Sequence, residues 1–220
     1  STNLEYNYAS DKDYFADLNN NPNSKTDLNL RRAWELNYRN GIPGLKAQLK
    51  VEDFQTLDPD IEYEKRPYAR LPQFLLNYKT GNPQGFQVEF NNDTAYFKKD
   101  LAAQDGEPSG TRIYNDFAVR YNYRNPWSFV IPEVSLRNIN TFYDKDTRNA
   151  LNQYNSSSES ESVTVPQFTL DTGITFEKDG RFLQTITPRA FYAYAPYRNQ
   201  NDHPNFDSAT ASINYDQLFS

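Results

Sequence analysis

Few residues of this chain have the types and spacing that catalysis requires. The single histidine, His203, lies in a polar stretch beside Asp202 and Pro204, and no nucleophile signature accompanies it. The sequence contains no cysteine, no glycine-rich phosphate loop and no pair of carboxylates at a useful spacing. We therefore predict that the chain has no catalytic residue, binds no cofactor and is not an enzyme.

An acidic cluster near the start is the nearest approach to a metal site. Asp11, Asp13 and Asp17 could supply the oxygen ligands that hard divalent cations prefer. The cluster lacks the glycine and the terminal glutamate of a calcium-binding loop. We interpret it as a solvated acidic loop and predict no metal ion.

Charged residues elsewhere recur at every second position of apolar stretches. Between Asp116 and Arg120, for example, Phe117 and Val119 occupy the alternate positions. A period of two is typical of a β-strand with one apolar and one polar face. We predict that the following side chains share one face, the inside of a β-barrel: Arg31, Glu35, Arg39, Lys46, Lys50, Glu52, Glu89, Arg112, Asp116, Arg120, Arg124, Glu133, Arg137, Asp171, Glu177 and Arg189.

Both signs of charge occur in this set, so the predicted lumen is polar and contains ion pairs. One interpretation is a structural network that maintains the shape of the barrel. The other is a lining for a polar solute or a docking surface for a plug. The sequence leaves both interpretations open.

The strands that would position these residues are long. Residues 166–176 and 184–195 each alternate over about 12 residues, roughly twice the usual strand length. A transmembrane β-strand needs about 9 to 11 residues, with aromatic side chains at both interfaces. The strand at 68–78 has two fairly apolar faces, which leaves its orientation open. In all, the pattern predicts about ten strands, at 4–8, 27–39, 45–52, 68–78, 86–91, 111–124, 130–137, 166–176, 184–195 and 209–215.

The connections between these strands alternate between long and short. Tight turns are predicted at 40–43, 80–83, 125–126 and 178–181, where Gly, Pro, Asn and Asp are frequent. Up-and-down membrane barrels have short periplasmic turns and long extracellular loops. We therefore expect the turns on the periplasmic side and the long loops outside, with the serine-acid run 156–162 in a mobile loop.

Prolines also fall within the predicted strands. Pro72, Pro132, Pro166 and Pro188 each remove a donor from the backbone ladder. We expect bulges or weak pairing at these positions.

Composition agrees with an alternating barrel. Of the 220 residues, 37% are hydrophobic and 15% aromatic, and the mean hydropathy is -0.90. Disordered chains are poor in aromatic residues, whereas a barrel needs an apolar residue only at every second position. A formal net charge of -6 argues against nucleic-acid binding. We expect one all-β domain over residues 1–220, part of a large antiparallel transmembrane β-barrel.

No stretch of the sequence has the 18 or so apolar residues of a transmembrane helix, and no signal peptide opens the chain. A bacterial outer-membrane protein needs a signal peptide. On this interpretation we expect the chain to be an internal piece of a longer precursor.

The end of the chain carries a resemblance to a known family. The stretch 187–200, with the following Asn205, Phe206 and Asp207, resembles the LptD family of LPS-assembly outer-membrane proteins, also called OstA or Imp. Segments 10–17 and 165–168 support the resemblance, which covers most of the chain. The residues that carry the main motif are Pro188, Arg189, Tyr192, Tyr194, Pro196, Tyr197, Arg198, Asn205, Phe206 and Asp207.

This resemblance implies a closed barrel of about 26 strands, of which these strands would be a middle section. It also implies lipopolysaccharide as substrate, a lipoprotein (LptE) that plugs the lumen, and a periplasmic domain that receives lipopolysaccharide from the periplasmic bridge. Lipopolysaccharide would leave through a lateral opening between the first and last barrel strands. That seam, the family's disulfide cysteines and the periplasmic domain would lie outside this chain.

Two alternatives remain open from the sequence. A porin-like outer-membrane channel shares all the strand evidence, and a soluble surface β-sandwich with a binding role is compatible with the low hydropathy. The facing assignment predicts that charge reversal at Arg120 is tolerated better than arginine at Val119, which we place in lipid.

Overall fold

A computed structural model describes residues 1–10, 29–57, 61, 65–99, 108–144, 160–180 and 182–198. Twelve β-strands are found in this described part of the chain. Their bounds are β1 Thr2–Tyr6, β2 Asn29–Tyr38, β3 Leu45–Thr56, β4 Ala69–Gly81, β5 Phe86–Lys98, β6 Gly110–Tyr121, β7 Tyr123–Asn125, β8 Ser128–Tyr143, β9 Ser160–Ile174, β10 Phe176–Lys178, β11 Gln184–Ile186 and β12 Arg189–Tyr194.

The strands of the main sheet form an antiparallel meander and pair in chain order, with only the short β7, β10 and β11 outside this order. Ten of them make one sheet, in the order β1-β2-β3-β4-β5-β6-β8-β9-β12, with β7 beside β8. Strands β10 and β11 form a short separate ladder at the end of the last hairpin. The predicted all-β antiparallel fold of about ten strands is confirmed.

The cross-strand register gives the sheet one apolar and one polar face. Phe117 of β6 lies opposite Phe90 and Leu136, whereas the adjacent Asp116 lies opposite Asn91 and Arg137. Because every pair in these ladders is in register, the period of two in each strand becomes a property of the whole sheet.

Burial on the two faces is the reverse of that in a soluble sandwich. On the apolar face Val134 is 58% exposed, whereas Ser135 and Glu52 on the polar face are only 4% and 3% exposed. Among the described residues, the substantial contacts join only strands that are neighbours in the sheet, so no second layer covers the apolar face. The soluble-sandwich alternative therefore finds no support in this part of the chain. This part also contains no helix that is long and apolar enough to cross a membrane.

Strand β4 is the one whose orientation the sequence left open. Its register places Phe74, Leu76 and Tyr78 on the apolar face, opposite residues of β3. One extra residue of β4 lies between Arg70 and Gln73, where the pairing with both neighbouring strands shifts. This bulge inverts the alternation, and it explains why the sequence of this strand is apolar on both faces.

The predicted alternation of short and long connections is confirmed for the described strands. Short connections join β2 to β3, β4 to β5, β7 to β8 and β10 to β11, and longer ones separate the other hairpins. The second turn is shifted by two residues, because β4 continues through Gly81, whose φ of 114° few other residues adopt.

Several strands are longer than the sequence predicted, mostly at the end next to the long loops. Strand β5 ends at Lys98 rather than residue 91, and β8 ends at Tyr143 rather than residue 137. The apolar alternation stops there, but the backbone ladder continues because it needs no apolar side chain. For the same reason Ser160–Ser162 of the serine-acid run belong to β9, so the loop prediction was wrong there. Residues 156–159 of that run, and the predicted strand 209–215, lie outside the described residues.

The four strand prolines differ in their effects. Pro72 lies in the bulge of β4, and Pro188 lies in the gap between β11 and β12, as expected. Pro132 and Pro166 pair in register with Leu170 and Leu136, so no bulge lies between β8 and β9 at either position. Pro132 lies opposite Tyr121, the last residue of β6, where the pairing with β8 is interrupted; β6 and β7 keep one register with β8 on both sides of this interruption. The missing donor therefore interrupts the ladder without displacing it.

Arginine introduced at two adjacent positions, one on each face, should have different effects on assembly of the barrel. Val119→Arg puts a charge on the apolar face and should cost about 2 to 4 kcal/mol if that face contacts lipid near the midplane. Ala118→Arg puts the same side chain on the polar face, directly opposite Glu89, and should be tolerated. Heat-modifiable mobility of the full-length parent in unheated SDS gels measures the assembled fraction of each variant.

Equal assembly of the two variants would contradict the facing assignment. Ala118 is a better control position than Arg120, because Arg120 makes an ion pair with Glu133. Reversal of its charge would therefore add a repulsion unrelated to which face it occupies.

Candidate functional site: the polar face of the sheet

Glu52 is the centre of an ion-pair network on the polar face of β1 to β4. Its carboxylate accepts hydrogen bonds from Arg31 Nε at 2.5 Å and Arg70 Nη1 at 2.9 Å, and Lys50 Nζ lies 2.9 Å away. Arg31 also pairs with Glu5 and Glu35, so the network connects four consecutive strands. A carboxylate with so little exposure is stabilised only by charged partners of this kind.

Ion pairs continue across the remaining strands, each on the same face. Arg120 pairs with Glu133 at 2.5 Å, Arg137 with Asp116 at 3.4 Å, and Arg189 with Asp171 at 2.7 Å. Each joins neighbouring strands, and each is more exposed than the Glu52 network. We expect them to maintain register and to contribute little stability individually.

Neutral amides fill the middle of the polar face. Asn77 donates to Asn91 at 2.6 Å, Gln48 donates to Asn37 at 2.9 Å, and Gln73 donates to Asp93 at 2.9 Å. Apart from Gln73, these side chains border a shallow groove of about 360 Å³. We call it the amide groove; Tyr114, Leu75, Lys46 and Arg39 also line it. A groove of this kind presents donors and acceptors together, which suits a hydroxyl-rich surface.

Aromatic rings and cations are packed together at the end of the polar face next to the long loops. Phe97, only 1% exposed, lies edge-on to Tyr68 with 6.0 Å between ring centroids. The guanidinium of Arg112 lies 4.7 Å from the Phe97 ring, and Lys99 Nζ lies 4.3 Å from the Tyr68 ring. Cation–π contacts at such distances stabilise a charge where little water reaches it. This cluster forms a buried apolar patch at one end of the polar face.

The sequence-predicted residues are found on this face, except that Glu177 belongs to the separate ladder of β10 and β11 and that Arg39 follows the end of its strand. Arg31, Glu35, Asp116, Arg120, Glu133, Arg137, Asp171 and Arg189 form ion pairs. Arg112 and Arg124 lie over the rings of Phe97 and Phe129. Arg39 was predicted inside a strand, but β2 ends at Tyr38 and Arg39 is exposed beside the turn.

The family-motif residues are divided between the two faces. Arg189 pairs with Asp171 on the polar face, whereas Tyr192 and Tyr194 lie opposite Leu170 and Phe168 on the apolar face. Pro188 precedes β12, and Pro196, Tyr197 and Arg198 follow it. Asn205, Phe206 and Asp207 lie outside the described residues, as do His203 and the acidic cluster Asp11, Asp13 and Asp17.

Sequence reasoning missed Arg70 and most of the amide groove. Arg70 lies on the polar face only because the bulge at Pro72 shifts the alternation of its strand. Gln73 and Asn77 lie on β4, whose orientation the sequence left open. Asp93 lies in the part of β5 that the sequence did not predict. The proline within an apolar strand was the signal that could have located the bulge.

The polar face can bind the polar surface of another molecule, but the described residues do not form a metal site. No group of three or more His, Cys, Asp or Glu side chains is arranged there to bind a metal ion. The carboxylates are instead occupied by arginine and lysine.

An antiparallel meander of long strands, apolar on one face and charged on the other, with alternating short and long connections, defines a class of protein. It is a section of the wall of an outer-membrane-type transmembrane β-barrel.

Comparison with known sequences identifies the family. The family model described as "LptD: LPS transport system D" matches residues 1–220, so the chain belongs to the LptD family, whose members are integral outer-membrane proteins. It is 72% identical over 220 residues to the LPS-assembly protein LptD of Acinetobacter baumannii, covering 100% of this chain and 27% of that protein. Identity to the LPS-assembly protein LptD is 69% over 223 residues in Acinetobacter baylyi, covering 100% of this chain and 27% of that protein. It is 34% over 227 residues in a serogroup B strain of Neisseria meningitidis, covering 98% and 26%. The chain thus spans about a quarter of the length of these relatives.

The Glu52 network predicts a large effect of one isosteric change. Glu52→Gln leaves Arg31, Lys50 and Arg70 without their shared carboxylate, and should destabilise the barrel by about 3 kcal/mol, as for removal of one partner of a buried ion pair. Denaturant unfolding of the full-length parent, followed by intrinsic fluorescence, measures the difference.

Glu133→Gln is the matched control. Glu133 pairs with Arg120, whose side chain is 42% exposed, and its loss should cost less than about 1 kcal/mol. If both variants unfold at the same denaturant concentration, the Glu52 network has no special role.

Proposed function

We propose that this segment forms part of the wall of an outer-membrane barrel that inserts lipopolysaccharide into the outer leaflet of the Gram-negative outer membrane. Membership of the LptD family supports this proposal, together with the similarity to proteins named for LPS assembly. The single structural observation that carries it is the separation of polarity between the two faces. Such a wall suits an amphiphile, which needs a polar compartment for its sugars and an apolar one for its acyl chains.

In this proposal the polar face lines the lumen. Its charges are largely neutralised by cross-strand pairs, so it offers a hydrated, hydrogen-bonding surface without a strong field. The amide groove and the ion pairs would face the sugar portion of lipopolysaccharide or the plug lipoprotein, LptE. The apolar face, with Trp34, Phe117 and Val134 among its exposed side chains, would contact membrane lipid.

The remaining parts of the machine would lie outside this chain. Residues 1–220 would be one section of a single barrel domain. A domain outside it would receive lipopolysaccharide from the periplasmic bridge. Strands β1 and β12 have free edges within the described sheet, and unpaired backbone groups in lipid are costly. Further strands of the parent would therefore pair with both edges. The short turns would lie on the periplasmic side and the long loops outside the cell.

Two adjacent leucines provide a matched test of the proposed lumen. Leu75 lies on the polar face between Gln48 and Asp93, whereas Leu76 lies on the apolar face opposite Ala47. In full-length parent carrying p-benzoylphenylalanine at residue 75, ultraviolet light should give adducts with a small lipoprotein or with lipopolysaccharide in cells. At residue 76 it should give adducts with membrane lipid and none with the lipoprotein.

Immunoblotting of the adducts for the lipoprotein, and mass spectrometry of the lipids, distinguish these outcomes. Lipoprotein adducts at residue 76 but none at residue 75 would reverse the facing. A parent that yields neither lipoprotein nor lipopolysaccharide adducts at either position would contradict the proposed function.

A further inference from the structure

A row of polar side chains crosses the apolar face of the sheet. Asn92 of β5 lies opposite Asn115 of β6, which lies opposite Asn138 of β8, which lies opposite Thr164 of β9. Phe90, Phe117, Leu136 and Pro166 occupy the preceding row on the same face, on the side of the short turns. A polar row therefore follows an apolar row at the same register position on four neighbouring strands.

The side chains of this row are hydrogen-bonded to each other in two pairs. Asn92 Nδ2 donates to Asn115 Oδ1 at 2.8 Å, and Asn138 Nδ2 donates to Thr164 Oγ1 at 2.9 Å. Thr94 and Asn140, one register step further on, donate to Asn92 and Asn138. Each amide has two donor hydrogens and two acceptor positions. Asn115 donates no side-chain hydrogen bond among the described residues, so capacity remains for an external partner.

Arg198 extends the row to the segment that follows β12. Its Nε lies 3.4 Å from the carbonyl oxygen of Thr164, and its side chain is exposed. An exposed arginine on the lipid face costs about 2 to 4 kcal/mol at the bilayer midplane but close to nothing at the interface. The presence of Arg198 in this row therefore argues that the row lies at headgroup depth rather than in hydrocarbon.

We propose that Asn92, Asn115, Asn138, Thr164 and Arg198, which we call the outer row, are a contact site for the phosphorylated sugar headgroup of lipopolysaccharide in the surrounding leaflet. Sugar hydroxyls match the amides and the threonine, which can both donate and accept. A phosphate matches the free Nη atoms of a guanidinium, which bind it through paired hydrogen bonds. The site faces away from the lumen, so it would bind resident lipid and not lipid in transit. The identity of the lipid rests on the proposed function.

The test is binding of lipopolysaccharide to the purified full-length parent with its plug in a nonionic detergent, measured by native mass spectrometry. Asn115→Leu/Asn138→Leu makes the row apolar and should weaken binding about tenfold, since several hydrogen bonds are lost together. Arg198→Gln should weaken it several-fold. Arg198 follows β12 and is not one of the paired residues of the sheet. This variant therefore tests the site even if the leucine pair fails to assemble.

Thr80→Leu/Thr172→Leu is the control, because it makes a double polar-to-leucine change on the same apolar face but at the end next to the short turns, opposite Val88 and Val130. Phosphatidylglycerol, titrated in parallel, has a phosphate but few hydroxyls, and should bind more weakly than lipopolysaccharide. Unchanged lipopolysaccharide binding in the row variants, loss confined to the control pair, or equal binding of phosphatidylglycerol would overturn the inference. Binding is measured without transport, so failure of the parent to deliver lipopolysaccharide in cells would refute the proposed function and not this site.

Discussion

The antiparallel backbone ladder is the constraint on which the rest of this structure depends. Each strand pairs with its chain neighbour in a fixed register, and side chains alternate between the faces of the sheet. A shift of one residue in any strand would expose its charges on the apolar face. The cross-strand ion pairs oppose such shifts, because Arg120 meets Glu133, and Arg189 meets Asp171, only in the observed register.

The polar face is the better packed of the two, which is unusual for a single sheet. Its stability comes from charges and amides that satisfy each other across strands, and from a small aromatic cluster around Phe97 at one end. Burial of the carboxylate of Glu52 among three cations is favourable only while all partners are present. The apolar face has no comparable ion-pair network in the described part of the chain, and in the proposed function it contacts hydrocarbon.

The alternating pattern was enough to predict the all-β meander, the order of short and long connections and the face of most charged residues. It could not give the partners of those residues, because Arg31 and Glu52 are joined by register rather than by spacing. The orientation of β4 could not be predicted because of the extra residue at Pro72. One inserted residue reverses the phase of a period of two. The full lengths of β5 and β8 could not be predicted because Asn92 and Asn138 are polar residues on the apolar face. They interrupt the alternating pattern, while the backbone pairing continues. The resemblance to the LptD family rested on a local motif, and the full-length match confirms it.

The most direct test of the account is solvent and oxygen accessibility along β6 in the full-length parent, reconstituted in lipid. This chain contains no cysteine, so single cysteines at positions 116 to 120 can each carry a nitroxide label. The account predicts that molecular oxygen, which concentrates in hydrocarbon, relaxes the labels most at 117 and 119. A water-soluble nickel complex should relax them most at 116, 118 and 120. Accessibility without a period of two, or with the opposite phase, would contradict the assignment of the two faces.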